Sequence, residues 1–186
     1  MEDFPRKAGE WTELSRAIVY ENPWIEVQHS EMLNPNGGPG IYGKVHFKNL
    51  AIGILALNEK EEIYLVGQER YPFDGEYSWE IIEGGGPLAD DPLDSAKREL
   101  KEETGLEASS WELIQEMHLS NSVSDERSLC FLARDLVQKE AEPEDSEKLQ
   151  IKKLPFQEAL EMTLDGRIKD SISVAAILRY ALMRKA

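Results

Sequence analysis

The chain has 186 residues, a formal net charge of −15 and a single cysteine, Cys130. That length suits one domain with a full core. The charge argues against a partner held by a nucleic-acid backbone, because phosphates would be repelled over most of the surface. A small phosphate-bearing ligand carried in with metal ions remains compatible with it, since the ion inverts the local charge logic. One cysteine excludes an internal disulfide framework and points to a reducing compartment. Cys130 lies in the apolar run LCFLA, as a small core residue does. The N-terminus, MEDFPRKAGEW, lacks the apolar stretch of a signal peptide, and no run reaches the roughly 20 apolar residues of a membrane span. The expected location is the cytoplasm, with no membrane partner.

In chain order, IEVQH (25–29) alternates as a strand, NPNGGPG (34–40) is a dense turn signal, and IYGKVHF (41–47) alternates again. These predict a hairpin. AIGILAL (51–57) and EIYLVGQ (62–68) read as buried strands on either side of a polar turn. After Gly84-Gly85-Gly86 comes a helix with punctuation at both ends. Asp91 is a good N-cap, Pro92 fits N1, Asp94 lies near the positive end of the dipole, and Gly105 suits C′. WELIQEMHL (111–119) and RSLCFLARDL (127–136) are strand-like and flank the loop SNSVSDE. An acidic stretch, KEAEPEDSEK (139–148), precedes the short strand LQIKK. PFQEALEMTLDG (155–166) and DSISVAAILRYALMRK (170–185) close the chain as helices. This order predicts an α/β (α+β) fold in which a mixed sheet is covered by helices on both faces.

The central helix carries RELKEETGL (98–106). Turning about 100° per residue, Glu99, Glu102 and Glu103 fall within roughly 100° of arc. Like charges at that spacing destabilise a helix by a few tenths of a kcal/mol. They are solvated, or a cation sits among them. Three carboxylates on one face make a hard-oxygen site of the kind Mg²⁺ or Mn²⁺ shares with substrate phosphates. The triple glycine ahead of the helix lets backbone approach a ligand closely. Arg98, four residues before Glu102, can pair with and orient that carboxylate.

From Gly84 to Leu106 the chain resembles the Nudix box, G-x5-E-x7-R-E-U-x-E-E-x-G-U, where U is aliphatic. Gly84, Arg98, Glu99, Leu100, Glu102, Glu103, Gly105 and Leu106 match; Asp90 stands where the pattern has its isolated Glu. The resemblance implies a Nudix-type α/β/α sandwich with an added N-terminal antiparallel strand pair. It implies hydrolysis of a nucleoside diphosphate linked to another moiety, with Mg²⁺ (Mn²⁺ as a substitute) held by Glu99, Glu102 and Glu103, Glu103 and Glu99 most directly. The backbone carbonyl of Glu83 is a further ligand candidate, and Arg98 an orienting residue.

QERYPFDGEYSWEIIEGGG (68–86) is similar to the stretch Q-x-R…W-E-x-P-A-G that precedes the box in ADP-ribose and nucleotide-sugar pyrophosphatases. Gln68, Arg70, Trp79 and Glu80 match, whereas Pro-Ala is replaced by Ile82-Glu83. Arg70 and Glu80 are thereby substrate-binding candidates. The resemblance implies a homodimer built through the N-terminal strands, so residues 1–47 form a dimerisation segment and 48–186 the Nudix domain. It draws the general base from a mobile loop before the penultimate helix, here AEPEDSEKLQI, with Glu147 the first candidate and Glu144 the second. Glu126, in SDER, is a third candidate for the general base and is also a substrate-binding candidate. DGRIKDS (165–171) resembles the turn joining the last two helices and carries no expected chemistry. The leading expectation is cleavage of ADP-ribose or a related nucleoside diphosphate sugar. The alternatives are a nucleoside triphosphate or dinucleoside polyphosphate hydrolase, or a catalytically silent module that senses a nucleotide sugar.

Overall fold

A computed structural model describes residues 3–139 and 149–185. They divide into two compact units, one made of the described residues up to 49 with 118–127 and the other of residues 50–117 with the described residues from 128 onward. The first contains an antiparallel sheet in the order β1-β2-β3-β4, namely Arg6–Ala8, Trp11–Glu21, Ile25–Leu33 and Pro39–Phe47. The expected hairpin is β3 and β4, paired from Ile25↔Phe47 to Leu33↔Pro39. Its turn is closed by Asn34, whose side-chain oxygen accepts from the amides of Asn36 and Gly38. β1 and the long strand β2 are additional to that expectation. Register shifts between Glu13 and Ser15 and between Ile18 and Tyr20 interrupt the period-two alternation that would have marked β2 in the sequence.

In the second unit β5 (Asn49–Ala56) lies between β8 (Ile82–Pro87) and β10 (Arg127–Gln138), with β9 (Leu106–His118) beyond β10. β5 and β10 run parallel, with Ile54 opposite Phe131. β6 (Glu62–Arg70) is the centre of a three-stranded antiparallel sheet with β7 (Glu76–Glu80) and β11 (Gln150–Pro155). Alternation along β5 then sorts the helices. Ile52, Ile54 and Ala56 are buried with Ala96 and Leu100 of α1 (Pro92–Thr104). Gly53 faces the opposite way, and a Cβ there would lie 2.7 Å from Ile172 of α3 (Ser171–Met183). A side chain at position 53 would push α3 off the sheet. α2 (Phe156–Leu164) packs on β6, β11 and α3. The result is the expected α/β/α sandwich.

The punctuation of α1 is as the sequence reads. Asp91 accepts from the Leu93 amide, Pro92 opens the first turn, and Gly105, at φ 69°, donates to the Lys101 carbonyl. Among the described residues no helix is long and apolar enough to cross a membrane.

Candidate active site

α1 is fixed by its buried stripe of Ala96 and Leu100, and Glu99 lies against β8 at Gly84. Glu103 is 7% exposed, deep for a carboxylate. Arg98 spans Glu99 and Glu102. Its Nη2 donates to Glu99 Oε1 at 2.6 Å and to the Gly85 carbonyl at 2.8 Å, and its Nη1 donates to Glu102 Oε2 at 2.6 Å. One guanidinium thus ties two carboxylates to the glycine strand, the orienting role that the i,i+4 spacing implied.

β8 is in contact with α1. A Cβ at Gly84 would fall inside the Glu99 carboxylate, so only a bare backbone leaves that group its place. Gly86 likewise faces Ser95 and Ile52, where a Cβ would meet atoms at 3.0 and 3.1 Å. The glycines are a seat for the carboxylate face of α1. Among the described residues no three acids, histidines or cysteines are already gathered as a metal-ligand cluster. With the Arg98 guanidinium across Glu99 and Glu102, a cation would have to displace or share those contacts. The donor set itself, carboxylate oxygens beside bare backbone carbonyls, has the chemistry Mg²⁺ and Mn²⁺ require.

Ahead of the box, Arg70 at the end of β6 grips Glu80 of β7 through both guanidinium nitrogens, Nε to Oε1 at 2.9 Å and Nη2 to Oε2. Glu80 is 3% exposed, so this is a buried acid held by a half-exposed arginine. Glu83 comes next along the same run. Burial, and then the facing Asp170 carboxyl, hold Glu83 well above the usual carboxylate range, while Ser173 donates to it at 2.9 Å and opposes the shift.

Arg70, Phe73, Tyr77, Glu80, Arg167 and Lys169 line a cavity of about 400 Å³. Each of its cations has an acid partner: Glu80 for Arg70, Asp165 for Arg167 at 2.7 Å, and Glu76 for Lys169. The segment DGRIKDS, for which the sequence suggested no chemistry, supplies Arg167, Lys169, Asp170 and Ser171 to this wall. No local spacing announces that, because those residues meet β6 and β7 only through the fold.

Glu126 is half-buried, and burial raises its carboxyl above the usual range. It lies in the loop between β9 and β10, counted with the N-terminal unit, and that loop is fastened to β4. Asp125 accepts from Lys44 at 3.0 Å, His46 Nδ1 lies 2.7 Å from it, and the Phe47 amide donates at 3.0 Å. Glu144 and Glu147 lie outside the described residues. Asp90, the departure from the box pattern, is exposed.

Residues 47–174 match the family described as NUDIX domain. An ADP-ribose pyrophosphatase of Mycobacterium tuberculosis is 33% identical over 170 residues, covering 89% of this chain and 80% of that protein. A methanol dehydrogenase activator of Bacillus methanolicus is 28% identical, with 90% of each chain covered. A crystal structure of an ADP compounds hydrolase superposes with a TM-score of 0.85 at 18% identity, covering 97% of each chain.

Proposed function

The chain belongs to the NUDIX family and is a Nudix hydrolase, and we propose that it hydrolyses the diphosphate bond of ADP-ribose or a related nucleoside diphosphate sugar. The products would be a nucleoside monophosphate and a sugar phosphate. The observation that carries this reading is the Glu99 carboxylate seated on Gly84, with Glu102 and buried Glu103 on the same helix. Glu99, Glu102, Glu103 and the Glu83 carbonyl would hold Mg²⁺, or Mn²⁺ in its place. When bound, the ion would neutralise charge developing on the diphosphate and lower the pKa of an attached water. Arg98 keeps the glutamates oriented while the site fills. Arg70 and Glu80, at the cavity wall, fit the substrate's polar groups. A cavity whose cations are each paired is close to neutral, and its carboxylate and hydroxyl acceptors suit the hydroxyls of a sugar more than a third phosphate.

Support for the substrate class comes from the pyrophosphatase of Mycobacterium tuberculosis, similar over most of both chains. The water's proton would pass to an acid of the 140–148 segment, Glu147 ahead of Glu144, with Glu126 as a substrate contact. Ile18, Val19, Tyr20 and Ile41 of the N-terminal sheet, and Trp24 in the turn between β2 and β3, are more than half exposed, apolar side chains that a second copy would cover in a homodimer. A net charge of −15 and a cavity of about 400 Å³ favour a small molecule over nucleic acid, and the single cysteine fits a reducing compartment such as the cytoplasm.

The test is a substrate panel with Mg²⁺. AMP plus ribose 5-phosphate from ADP-ribose is the expected outcome. Inorganic pyrophosphate from nucleoside triphosphates would select the first alternative. Binding of nucleotide sugars with no turnover of any substrate would select the sensing module.

A further inference from the structure

One buried hydroxyl reaches back about ninety residues along the chain to the segment that leads into the box. Ser173 of α3 is fully buried. Its Oγ accepts from the Ile81 amide at 2.9 Å and donates to Glu83 Oε1 at 2.9 Å. Its own amide donates to Asp170 Oδ2 at 2.7 Å, the N-cap contact of α3. The hydroxyl therefore uses both its donor and its acceptor on two residues flanking Ile82, and its position is set by the helix start. Gly84, the next residue after Glu83, is where the Glu99 carboxylate rests on bare backbone.

This is also the stretch where the chain departs from the pattern it otherwise resembles, with Ile82-Glu83 in place of Pro-Ala. A proline fixes its own φ. Isoleucine and glutamate do not, so the rigidity of residues 81–83 has to come from outside the strand. Ser173 is placed to supply it.

We propose that Ser173 is a positioning residue for the metal site, tethering residues 81–83 to α3 so that Gly84 stays seated against the Glu99 carboxylate and the Glu83 carbonyl keeps its place in the strand. The proposal rests on the reading of α1 as the metal-holding element. Partners that orient a ligand set change metal affinity by about 10- to 100-fold when removed. The side-chain half of the tether needs a hydrogen-bond acceptor at position 83. Glutamine keeps that acceptor; leucine does not.

The experiment is a titration of the full-length, substrate-free protein with Mn²⁺, followed by loss of the free-ion electron paramagnetic resonance signal. Thermal melts of each variant accompany it. Ser173→Ala and Glu83→Leu should each raise the Mn²⁺ dissociation constant, Ser173→Ala by about 10-fold. Glu83→Gln should stay near wild type, and Ser173→Ala combined with Glu83→Leu should add little to Ser173→Ala alone. In steady state the apparent KM for Mg²⁺ should rise more than kcat falls. Wild-type Mn²⁺ affinity in a folded Ser173→Ala protein overturns the proposal, as does a melting shift without an affinity change. If Ser173→Ala does not fold, Glu83→Leu against Glu83→Gln decides, and equal affinities overturn it. Glu103→Gln separates the two levels. If it binds Mn²⁺ like wild type, the metal reading of α1 falls; if only Glu103→Gln and Gly84→Ala weaken binding, the tether alone falls.

Discussion

Two of the places where this chain sets carboxylates against guanidinium groups differ in proportion. In the N-terminal sheet a single acid, Glu13, is 4% exposed and receives Arg6 at 2.9 Å, Arg16 at 2.7 and 2.8 Å, and the Ser30 hydroxyl at 2.6 Å. On α1 the Arg98 guanidinium is divided between two carboxylates, Glu99 and Glu102. A carboxylate given two guanidiniums and a hydroxyl is a finished structural lock. The Arg16 hydrogen bond leads in holding its pKa at about 2, outweighing the burial that works against it. Carboxylates that share one arginine still have affinity left for a cation. On the proposed reading of α1, the same two residue types give a fastening in one place and a binding site in the other, with charge proportion as the difference.

The largest expected effects test the α1 side of this contrast. Glu103→Gln or Glu102→Gln should lower turnover by about 10³-fold or more, close to 4 kcal/mol of transition-state stabilisation. Neither should move the melting temperature by more than about 2 °C, because relief of like-charge repulsion works against the loss of ion-pair contacts of similar size, a few tenths of a kcal/mol each. Steady-state rates with the active substrate and a thermal melt read both quantities. Near wild-type turnover in either variant would break the assignment of α1 as the metal-holding element. Metal addition gives a second reading of the same contrast. At 100 times its dissociation constant an ion that binds only the folded state stabilises it by about 2.7 kcal/mol. Mg²⁺ should therefore raise the melting temperature of the wild type and of Glu13→Gln, and raise that of Glu103→Gln much less.

At Glu13 the effect should appear in stability and not in chemistry. The carboxyl's folded pKa of about 2 lies below its ordinary 4.5. Such a group contributes stability that is complete above about pH 4.5 and is lost as pH falls through 2. Arg6 is 46% exposed, so screening trims the contribution to about 1–2 kcal/mol. Denaturant midpoints of the wild type should drop between pH 4.5 and 2.5 by more than those of Glu13→Gln, with the two curves converging at the acid end. Curves that stay parallel across that window would mean that Glu13 is not the lock its contacts describe.

How much of this was legible beforehand follows from distance along the chain. The helix α1, its caps and its three glutamates lie within fifteen residues, and local spacing displayed them all. The hairpin of β3 and β4 was visible because its alternation is regular; β2 was not, because two register shifts break its period. Glu13 gave no signal as a lock, since Ser30 lies 17 residues away and becomes a neighbour only through strand pairing. The cavity wall at 165–171 and the Ser173 contacts with Ile81 and Glu83 span about ninety residues, beyond any local pattern. Arg70 and Glu80 could be named from a resembling stretch, yet their mutual grip could not, because it depends on the β6–β7 register.

The finest test compares the two arginines directly. Lysine keeps the charge but loses the planar fork, so it can meet one acceptor well and cannot span several. Arg98 reaches Glu99, Glu102 and the Gly85 carbonyl from a position 42% exposed, where an i,i+4 pair is worth about 0.3–0.5 kcal/mol. Arg98→Lys should therefore lower the melting temperature by only about 1–2 °C. Arg16 is 16% exposed and gives two bonds to a buried acid, so Arg16→Lys should cost more, on the order of 1–2 kcal/mol. In Mn²⁺ affinity the order should invert, with Arg98→Lys changing it and Arg16→Lys leaving it alone. If both replacements shift melting and metal affinity alike, charge proportion does not distinguish the two sites, and burial alone would have to explain why one locks and the other binds.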